Sequence, residues 1–517
     1  MTSWLARGSA HVGRWAGSLA ERPRRAGFSL VLLALILRLP TVGSRPMWYD
    51  EAFSVLFSSK GLPRMLQGSV DAEVHPLLYY SLLSGWMRAM GDTPIAVRGL
   101  SILFGLGSVV LGYAIGLRLM SPRQALAGGA LIACLPFQVH YAQEARMYSL
   151  LACLLLGATL AYLTGVQRKG WLPWFAFALL ACGAMYAHYL AAFYLIPLSL
   201  TSLFLGNRRV LLATAGSALL AVLLFLPWVG LLAGQWARLF QGYWIRVPGL
   251  EELVRTLLVF GVGLPVPDQF LPVALFLVIL VLCIALLQTV GAARRRPVGW
   301  LRGLWLLGMA GAPVMLLFLV SQWVPAYLER ALLPSGAMFA LWLGWALVFP
   351  GGSPRLQSTA WIALVGLIAI GLWGFYTYDG FPYAPFDEIN RQVAGEREAE
   401  EVIVHANKLT ALPAAYQDPT IPARFLADRP GSGSETLAPA TQRVLGLTAD
   451  ADVEQAVKGA SGVWLVLFRQ EMDEYRLLGI DPHPAIEALL AAYELVGETA
   501  HGDVIVQHYR LRSGQSG

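Results

Sequence analysis

Apolar runs of about 20 residues recur along the chain until position 377, and each is long enough to cross a hydrocarbon core. They begin near Phe28, Ile95, Ala125, Met147, Trp171, Tyr189, Val210, Phe270, Gly303, Leu332 and Thr359, eleven in all. Over the 517 residues 56% of side chains are apolar and 14% charged, and the mean hydropathy is +0.57. That balance excludes a soluble enzyme and a small secreted disulfide scaffold. The four cysteines (Cys134, Cys153, Cys182, Cys283) fall inside apolar runs without metal-ligand spacing and read as small buried hydrophobes.

The net charge of +6 conceals a division. Residues 1–376 carry +16 and residues 377–517 carry −10, so two differently solvated parts are fused. The basic residues sit in short gaps between apolar runs, where they set topology; nucleic acid is therefore not an expected partner. Clusters at Arg14 to Arg25, Arg118 with Arg123, Arg168 with Lys169, Arg208 with Arg209, Arg294 to Arg302, and Arg355 occupy every second gap, which predicts those gaps to be cytoplasmic. The carboxylates agree: Asp50, Glu51, Asp71, Glu73, Asp92, Glu144, Glu251, Glu252, Asp268 and Glu329 fall in the other gaps, and only Glu21 lies inside. The basic stretch before the first run lacks a small-residue cleavage site, so a retained first helix is expected. An odd number of spans then leaves the N-terminus cytoplasmic and residues 377–517 outside a cell (inner) membrane.

These observations predict a mainly α fold: a polytopic membrane bundle of about 11 spans with outer-face surface helices, plus a small C-terminal extracytoplasmic α/β domain. The predicted domains are 1–376, with long outer loops at about 43–94 and 234–268, and 377–517. In the first loop Phe53, Leu56 and Phe57 recur at helical spacing. In the second, Leu250, Leu253, Leu257 and Leu258 share a face away from Glu251, Glu252 and Arg255, and both segments read as helices lying on the membrane. Strands are expected at Glu401–His405, Val463–Phe468 and Asp503–Tyr509, helices at Pro484–Tyr493 and Val453–Gly459, and a loop at Pro430–Ser434. The tail has no Gly-rich dinucleotide or phosphate loop and no nucleophile elbow, so no catalysis is assigned to it.

Candidate chemistry gathers in the outer gaps. Met47-Trp48-Tyr49-Asp50-Glu51 sets two carboxylates among aromatics after the first run. A carboxylate beside an apolar helix end can take a proton from a hydroxyl; equally, Asp50 can cap the following helix. His75, before Pro76, could bind an anion or a metal, or be a loop histidine facing solvent. Arg146, in His140-Tyr141-Ala142-Gln143-Glu144-Ala145-Arg146-Met147-Tyr148, suits a phosphate oxygen at the bilayer edge, against the alternative of a snorkelling helix-end arginine. Arg330, in Tyr327-Leu328-Glu329-Arg330-Ala331-Leu332-Leu333-Pro334, repeats the pairing of Glu near Arg and favours a shared anionic ligand. Glu51, His140 and His188 make a candidate divalent-metal set, although their spacing is not a ligand motif and separate interfacial histidines are the commoner arrangement.

The succession of Asp50-Glu51, His75-Pro76-Leu77-Leu78-Tyr79-Tyr80, Glu144-Ala145-Arg146-Met147-Tyr148 and Glu329-Arg330-Ala331-Leu332-Leu333-Pro334 resembles the GT-C membrane glycosyltransferases, in the branch of protein O-mannosyltransferases and lipid A aminoarabinose transferases. The resemblance covers roughly residues 28–376. It implies an inverting transfer of a sugar from a polyprenyl-phosphate donor to an acceptor hydroxyl of a lipid, glycan or protein on the outer face. Asp50 matches the first member of the family's acidic doublet, its base or acceptor-orienting residue, and Glu51 would orient the acceptor or hold a metal. His75 implies a carrier-phosphate contact, joined by Arg146 and Arg330. Leu77 stands where a second proline is usual in that loop. The rival readings are a lipid-linked glycan polymerase or ligase, a transporter or flippase, and a receptor whose tail is the working part. Against a transporter, the chain has no evident internal repeat and no carboxylate within the expected hydrocarbon interior.

Overall fold

Each of the eleven apolar runs forms a helix in the computed structural model, which describes residues 17–69, 75–239, 245–295, 299–429 and 434–512. Arg14, Asp71, Glu73, Arg296 and Pro430 lie outside the described residues. The helices are Pro23–Arg38, Pro94–Leu119, the consecutive pair Pro122–Cys134 and Pro136–Ala142, Tyr148–Gln167, Leu172–Ala187, Ala191–Phe204, Arg208–Leu239, Leu271–Arg295, Trp300–Val320, Leu333–Leu347 and Pro354–Thr377. Among the described residues six are long and apolar enough to cross a membrane, or seven with the bent pair taken as one span. The expectation of about eleven crossings is therefore not met by length. At ~1.5 Å per residue, helices of 14 to 16 residues such as Ala191–Phe204, Leu172–Ala187 and Pro23–Arg38 fall short of a hydrocarbon core. In Leu333–Leu347 all fifteen residues are buried within protein, and a short apolar run is equally the signature of a core helix.

By backbone contacts the chain forms two compact units, one of Met1–Val42, Arg98–Pro227 and Val247–Tyr378, the other of Gly43–Val97, Trp228–Arg246 and Asp379–Gly517. The last boundary falls two residues beyond the sequence-based 376/377. The first outer loop, assigned from sequence to the membrane domain, groups instead with the tail.

In the first unit the buried helix Leu333–Leu347 packs against Pro122–Cys134, Trp300–Val320 and Tyr148–Gln167. Its approach to Pro122–Cys134 is so close that a Cβ on Gly344 would collide with the backbone nitrogen of Gly128. Ser121 and Gln124 form a reciprocal capping box at the start of Pro122–Cys134, and Gln124 Nε2 also donates to the Trp345 carbonyl at 2.9 Å, tying that helix start to the core helix. The chain then bends by 53° between Cys134 and Pro136. Pro136 has no N–H for the carbonyl of Ile132, four residues earlier, so the break strands acceptors. The buried Arg38 meets them: its guanidinium donates to the carbonyls of Ala133 at 2.9 Å, Gln138 at 3.2 Å and Ile132 at 3.5 Å. Gln138 Nε2 fastens the far side of the break to the Leu333 carbonyl at 2.9 Å.

The second unit is built on a six-stranded sheet of order β3-β2-β1-β4-β6-β5, with β1 Glu401–His405, β2 Ala423–Leu426, β3 Ala449–Asp450, β4 Gly462–Phe468, β5 Tyr493–His501 and β6 Val504–Leu511. The first four are parallel, and β6 runs antiparallel to both β4 and β5. Strand β4 is buried along its whole length, because Leu465 and Leu467 enter one apolar layer and Trp464, Val466 and Phe468 the other. The three expected strands and the expected helix at Pro484–Ala492 are present, and of Val453–Gly459 only Val453–Ala456 is helical; β2, β3 and β5 are too short or too polar to declare themselves.

The helix Tyr49–Ser59 packs on Lys408–Gln417, and Leu62–Ser69 packs on Pro439–Leu445. Phe53 and Phe57 stack at 5.3 Å, and the ring of Tyr80 stands edge-on to both. Thr441 Oγ1 donates to the Gly68 carbonyl at 3.4 Å and the Tyr416 hydroxyl to the Asp92 carbonyl at 2.8 Å. The apolar face of Tyr49–Ser59 that the sequence assigned to a lipid surface is thus covered by protein. The helix Leu250–Gly261 differs. It buries Thr256, Val259 and Phe260 and leaves Leu250, Val254 and Leu257 exposed.

Replacing Arg38 by Met removes the donor that serves the broken helix and leaves buried carbonyls without partners, each costing about 1–3 kcal/mol. We expect a clear fall in the thermal unfolding midpoint of the detergent-purified protein, only partly recovered by Arg38→Lys, whose ammonium lacks the guanidinium fork. An unchanged midpoint in Arg38→Met would show that the break holds itself.

Candidate functional site

The bend at Pro136 ends the preceding helix early and leads into a seven-residue helix, Pro136–Ala142, before the chain enters Tyr148–Gln167. The linking residues Gln143 to Met147 are buried. Their turn is held by the Arg146 N–H bonding the Glu144 carbonyl at 2.8 Å, by Ser149 Oγ donating to the Tyr141 carbonyl at 2.8 Å, and by Ser101 Oγ reaching the Arg146 carbonyl at 3.4 Å. Arg146 is 3% exposed. A polar, charged turn thus stands where a straight helix would have carried apolar side chains.

Tyr148 is the hub of this region. The Arg330 guanidinium lies 5.1 Å from its ring centroid, within cation–π range. His188 lies 5.9 Å away on ring centroids and Tyr141 stands edge-on at 5.7 Å. Arg330 is carried by the one-turn helix Glu329–Leu332 that feeds the buried helix Leu333–Leu347. His188 occupies the turn between Leu172–Ala187 and Ala191–Phe204, where its Nδ1 accepts the Leu190 N–H at 3.1 Å. Arg146 and Arg330 both act electrostatically on the His188 ring. The two arginines singled out from sequence therefore converge on one place, with His188 between their fields. The neighbouring carboxylates are already engaged: Glu144 with His140 at 3.1 Å and Glu329 with Arg255 at 2.9 Å.

The donor set does not fit a metal. His140 presents Nδ1 to the Leu264 carbonyl at 3.2 Å and Nε2 to Glu144, so both ring nitrogens face oxygens. His188 sits among guanidinium groups, which oppose a second cation. Among the described residues no three His, Cys, Asp or Glu side chains gather closely enough to hold an ion. The grouping of Glu51, His140 and His188 around a metal is accordingly not carried forward.

Asp50, Glu51 and His75 all belong to the unit that contains the tail. The helix bearing the carboxylates begins at Tyr49, with Trp48 at the N-cap and no side-chain cap. Asp50 and Glu51 therefore occupy its first turn rather than capping it, where the helix dipole favours negative charge. Glu51 is 1% exposed and Asp50 is half-buried. Ser54 Oγ returns to the Asp50 carbonyl at 2.9 Å and fixes that turn. His75 is half-buried ahead of the helix Leu78–Met90.

Residues 74–231 match the family model described as Dolichyl-phosphate-mannose-protein mannosyltransferase. The match includes His75, His140, Arg146 and His188 but not Asp50, Glu51 or Arg330. In three dimensions the chain is similar to ArnT from Cupriavidus metallidurans in the apo state, with TM-score 0.60 and 13% identity over 93% of this chain and 97% of that one. It is also similar to the same protein bound to undecaprenyl phosphate, with TM-score 0.58 and 15% identity over 93% and 97% of the two chains. The oligosaccharyltransferase of Archaeoglobus fulgidus in its apo form matches with TM-score 0.53 and 11% identity, over 96% of this chain and 75% of that one. No curated protein matches the sequence significantly. The chain thus shares the fold of these membrane-protein neighbours, and its residues 74–231 match the mannosyltransferase family model.

Two participants were not assigned from sequence. Tyr148 had a visible signal, an aromatic directly after the Arg146-Met147 pair. Arg38 had a weaker one, a lone cation at the end of an apolar run.

The tail carries its own perturbed carboxyl. Asp428, following β2, has its pKa pushed up to about 6 by burial, with Lys408 opposing and Glu471 adding to the rise. Because the folded value lies above the unfolded one, the fold binds more protons and loses stability as pH climbs from about 4 to about 6. Asp428→Asn should therefore raise the unfolding midpoint at pH 7.5 and leave it nearly unchanged at pH 4, measured by thermal denaturation across that range. Equal shifts at both pH values would count against the assignment.

Proposed function

We propose that the protein is an integral-membrane inverting glycosyltransferase that moves a sugar from a polyprenyl-phosphate donor to an acceptor hydroxyl on the outer face of the cytoplasmic membrane. The observation that carries this reading is that Arg146 and Arg330 both act on His188, with Arg330 over the Tyr148 ring, within a fold shared with ArnT. Two guanidinium groups in a largely apolar surround suit a phosphate. The capture of undecaprenyl phosphate by the ArnT neighbour supports a carrier of that chemistry. The basic inner gaps and acidic outer gaps support an N-terminus in the cytoplasm and a working face outside, where a donor already activated as a lipid phosphate requires no nucleotide.

In the proposed mechanism Asp50 accepts the acceptor's hydroxyl proton as that oxygen attacks the anomeric carbon from the face opposite the phosphate. The bond from anomeric carbon to phosphate oxygen breaks, and its electron pair stays on the phosphate. A phosphodiester carrying one negative charge becomes a monoester carrying nearly two at neutral pH. Arg146 and Arg330 interact more strongly with the second charge than with the first, which is the differential binding that lowers a barrier. His75 adds a further contact to the carrier phosphate, and Glu51, buried beside Asp50, orients the acceptor. The leaving group needs no general acid.

The test is transfer of radiolabelled sugar from a panel of polyprenyl-phosphate sugars into lipid, glycan and protein fractions. Asp50→Asn should lower turnover by about 10²–10⁴-fold with little change in carrier-lipid binding. Arg330→Gln and Arg146→Gln should each weaken binding of undecaprenyl phosphate by about tenfold or more and lower turnover as well. Full activity in a folded Asp50→Asn removes that residue from the chemistry. Unchanged lipid-phosphate binding in both arginine variants removes the phosphate site.

A further inference from the structure

Beneath the helices of the tail unit lies a cavity of about 150 Å³ that the proposed transfer does not use. Its floor is the sheet, through Ile403, Phe425 and Val466, and its cover includes Val393 of the helix Phe386–Glu396 and Ala414 of Lys408–Gln417. The wall is completed by Leu56 and Lys60, from the helix that begins with the Asp50-Glu51 pair. The charged groups on the wall, Lys60 and Asp418, are half-buried, and Asp418 is already occupied with the Thr420 N–H and hydroxyl.

One polar side chain in this wall is fully sequestered. His405 is the last residue of β1, 2% exposed, and its Nδ1 has no hydrogen-bond partner. Burial depresses its pKa to about 3, so the ring is neutral and can both donate and accept one hydrogen bond. Strands β2 and β4 flank β1 on either side, so His405 stands where the strand order reverses, the place at which open α/β sheets take ligands. A buried imidazole without a partner is costly unless something satisfies it.

We propose that this cavity binds a small neutral molecule with a ring-sized apolar body and a single hydroxyl, the hydroxyl paired with the His405 imidazole. The size follows from the volume, since a dry cavity of this magnitude holds a benzene-sized molecule. The neutrality follows from the absence of a fully buried charge in the wall, and the single hydroxyl from the single sequestered polar group. A bound molecule would also touch Leu56, on the helix whose first turn carries Asp50 and Glu51.

The test uses full-length protein in lipid nanodiscs and ¹⁹F NMR titration of 4-fluorophenol and fluorobenzene, with empty nanodiscs as the reference for partition into lipid. The wild type should bind 4-fluorophenol saturably and about tenfold more tightly than fluorobenzene. His405→Leu should abolish that preference while still binding fluorobenzene, and His405→Gln, which keeps a donor and an acceptor, should retain it. Ala414→Leu, which fills the cavity, should abolish binding of both, and serves if His405→Leu does not fold. The proposal is overturned if neither probe binds the wild type above empty nanodiscs. It is equally overturned if the preference survives in His405→Leu, or if glucose displaces 4-fluorophenol, which would make the site a saccharide site.

Discussion

The interruption at Leu135–Pro136, and the buried guanidinium that makes it tolerable, decide where the chemistry of the membrane unit can be. A continuous helix through this stretch would satisfy its own backbone and point apolar side chains outward. The break instead frees carbonyls inside protein, and Arg38 accommodates them by donating to three of them at once. Everything downstream is re-aimed by that bend: Gln138 onto the core helix, His140 onto the Leu264 carbonyl and Glu144, and Arg146 into its buried turn. A lysine would supply the charge but not the geometry, since several carbonyls at different angles require a planar fork. Irregular backbone at such depth survives only where protein supplies every missing hydrogen bond.

Much of the fold could be read from the chain because hydropathy reports helices directly. All eleven apolar runs are helical, and β1, β4 and β6 lie where continuous or alternating apolar residues placed them. The crossing count is not confirmed for a physical reason: an apolar run records exclusion from water, and Leu333–Leu347 is shielded on all sides by protein. The same ambiguity misplaced the helix Tyr49–Ser59. Phe53 and Phe57 predict one covered face correctly, but whether Tyr80 and a distant tail helix or a bilayer covers it depends on contacts hundreds of residues apart in sequence. Polar strands such as β5, whose face is largely exposed, leave little pattern to detect.

The candidate site was legible in its cations and not in its organisation. Arg146 and Arg330 stood out because each is a charge at the end of an apolar run, which is expensive without a purpose. That both act on His188 could not be read, since 184 positions separate them in the chain. The partners of the histidines were hidden for a related reason. Residue type allows His140 and His188 to ligate a metal, but the partners of each ring nitrogen decide, and those partners are a carbonyl, a carboxylate and a backbone N–H.

Placing a guanidinium over an aromatic ring has a consequence for anion binding. An arginine neutralised by a close carboxylate offers little net field to a phosphate, because the pair presents a dipole. A guanidinium resting on the Tyr148 face is held in place by the ring quadrupole. The nearby carboxylates are likewise drawn aside, Glu329 by Arg255 and Glu144 by His140. On the proposed reading the guanidinium so positioned meets the second charge that appears on the carrier phosphate as the sugar departs. Tyr148→Leu should then act through the arginine. It keeps bulk and burial but removes the quadrupole, so Arg330 loses its fixed position and the effect falls on turnover more than on carrier binding.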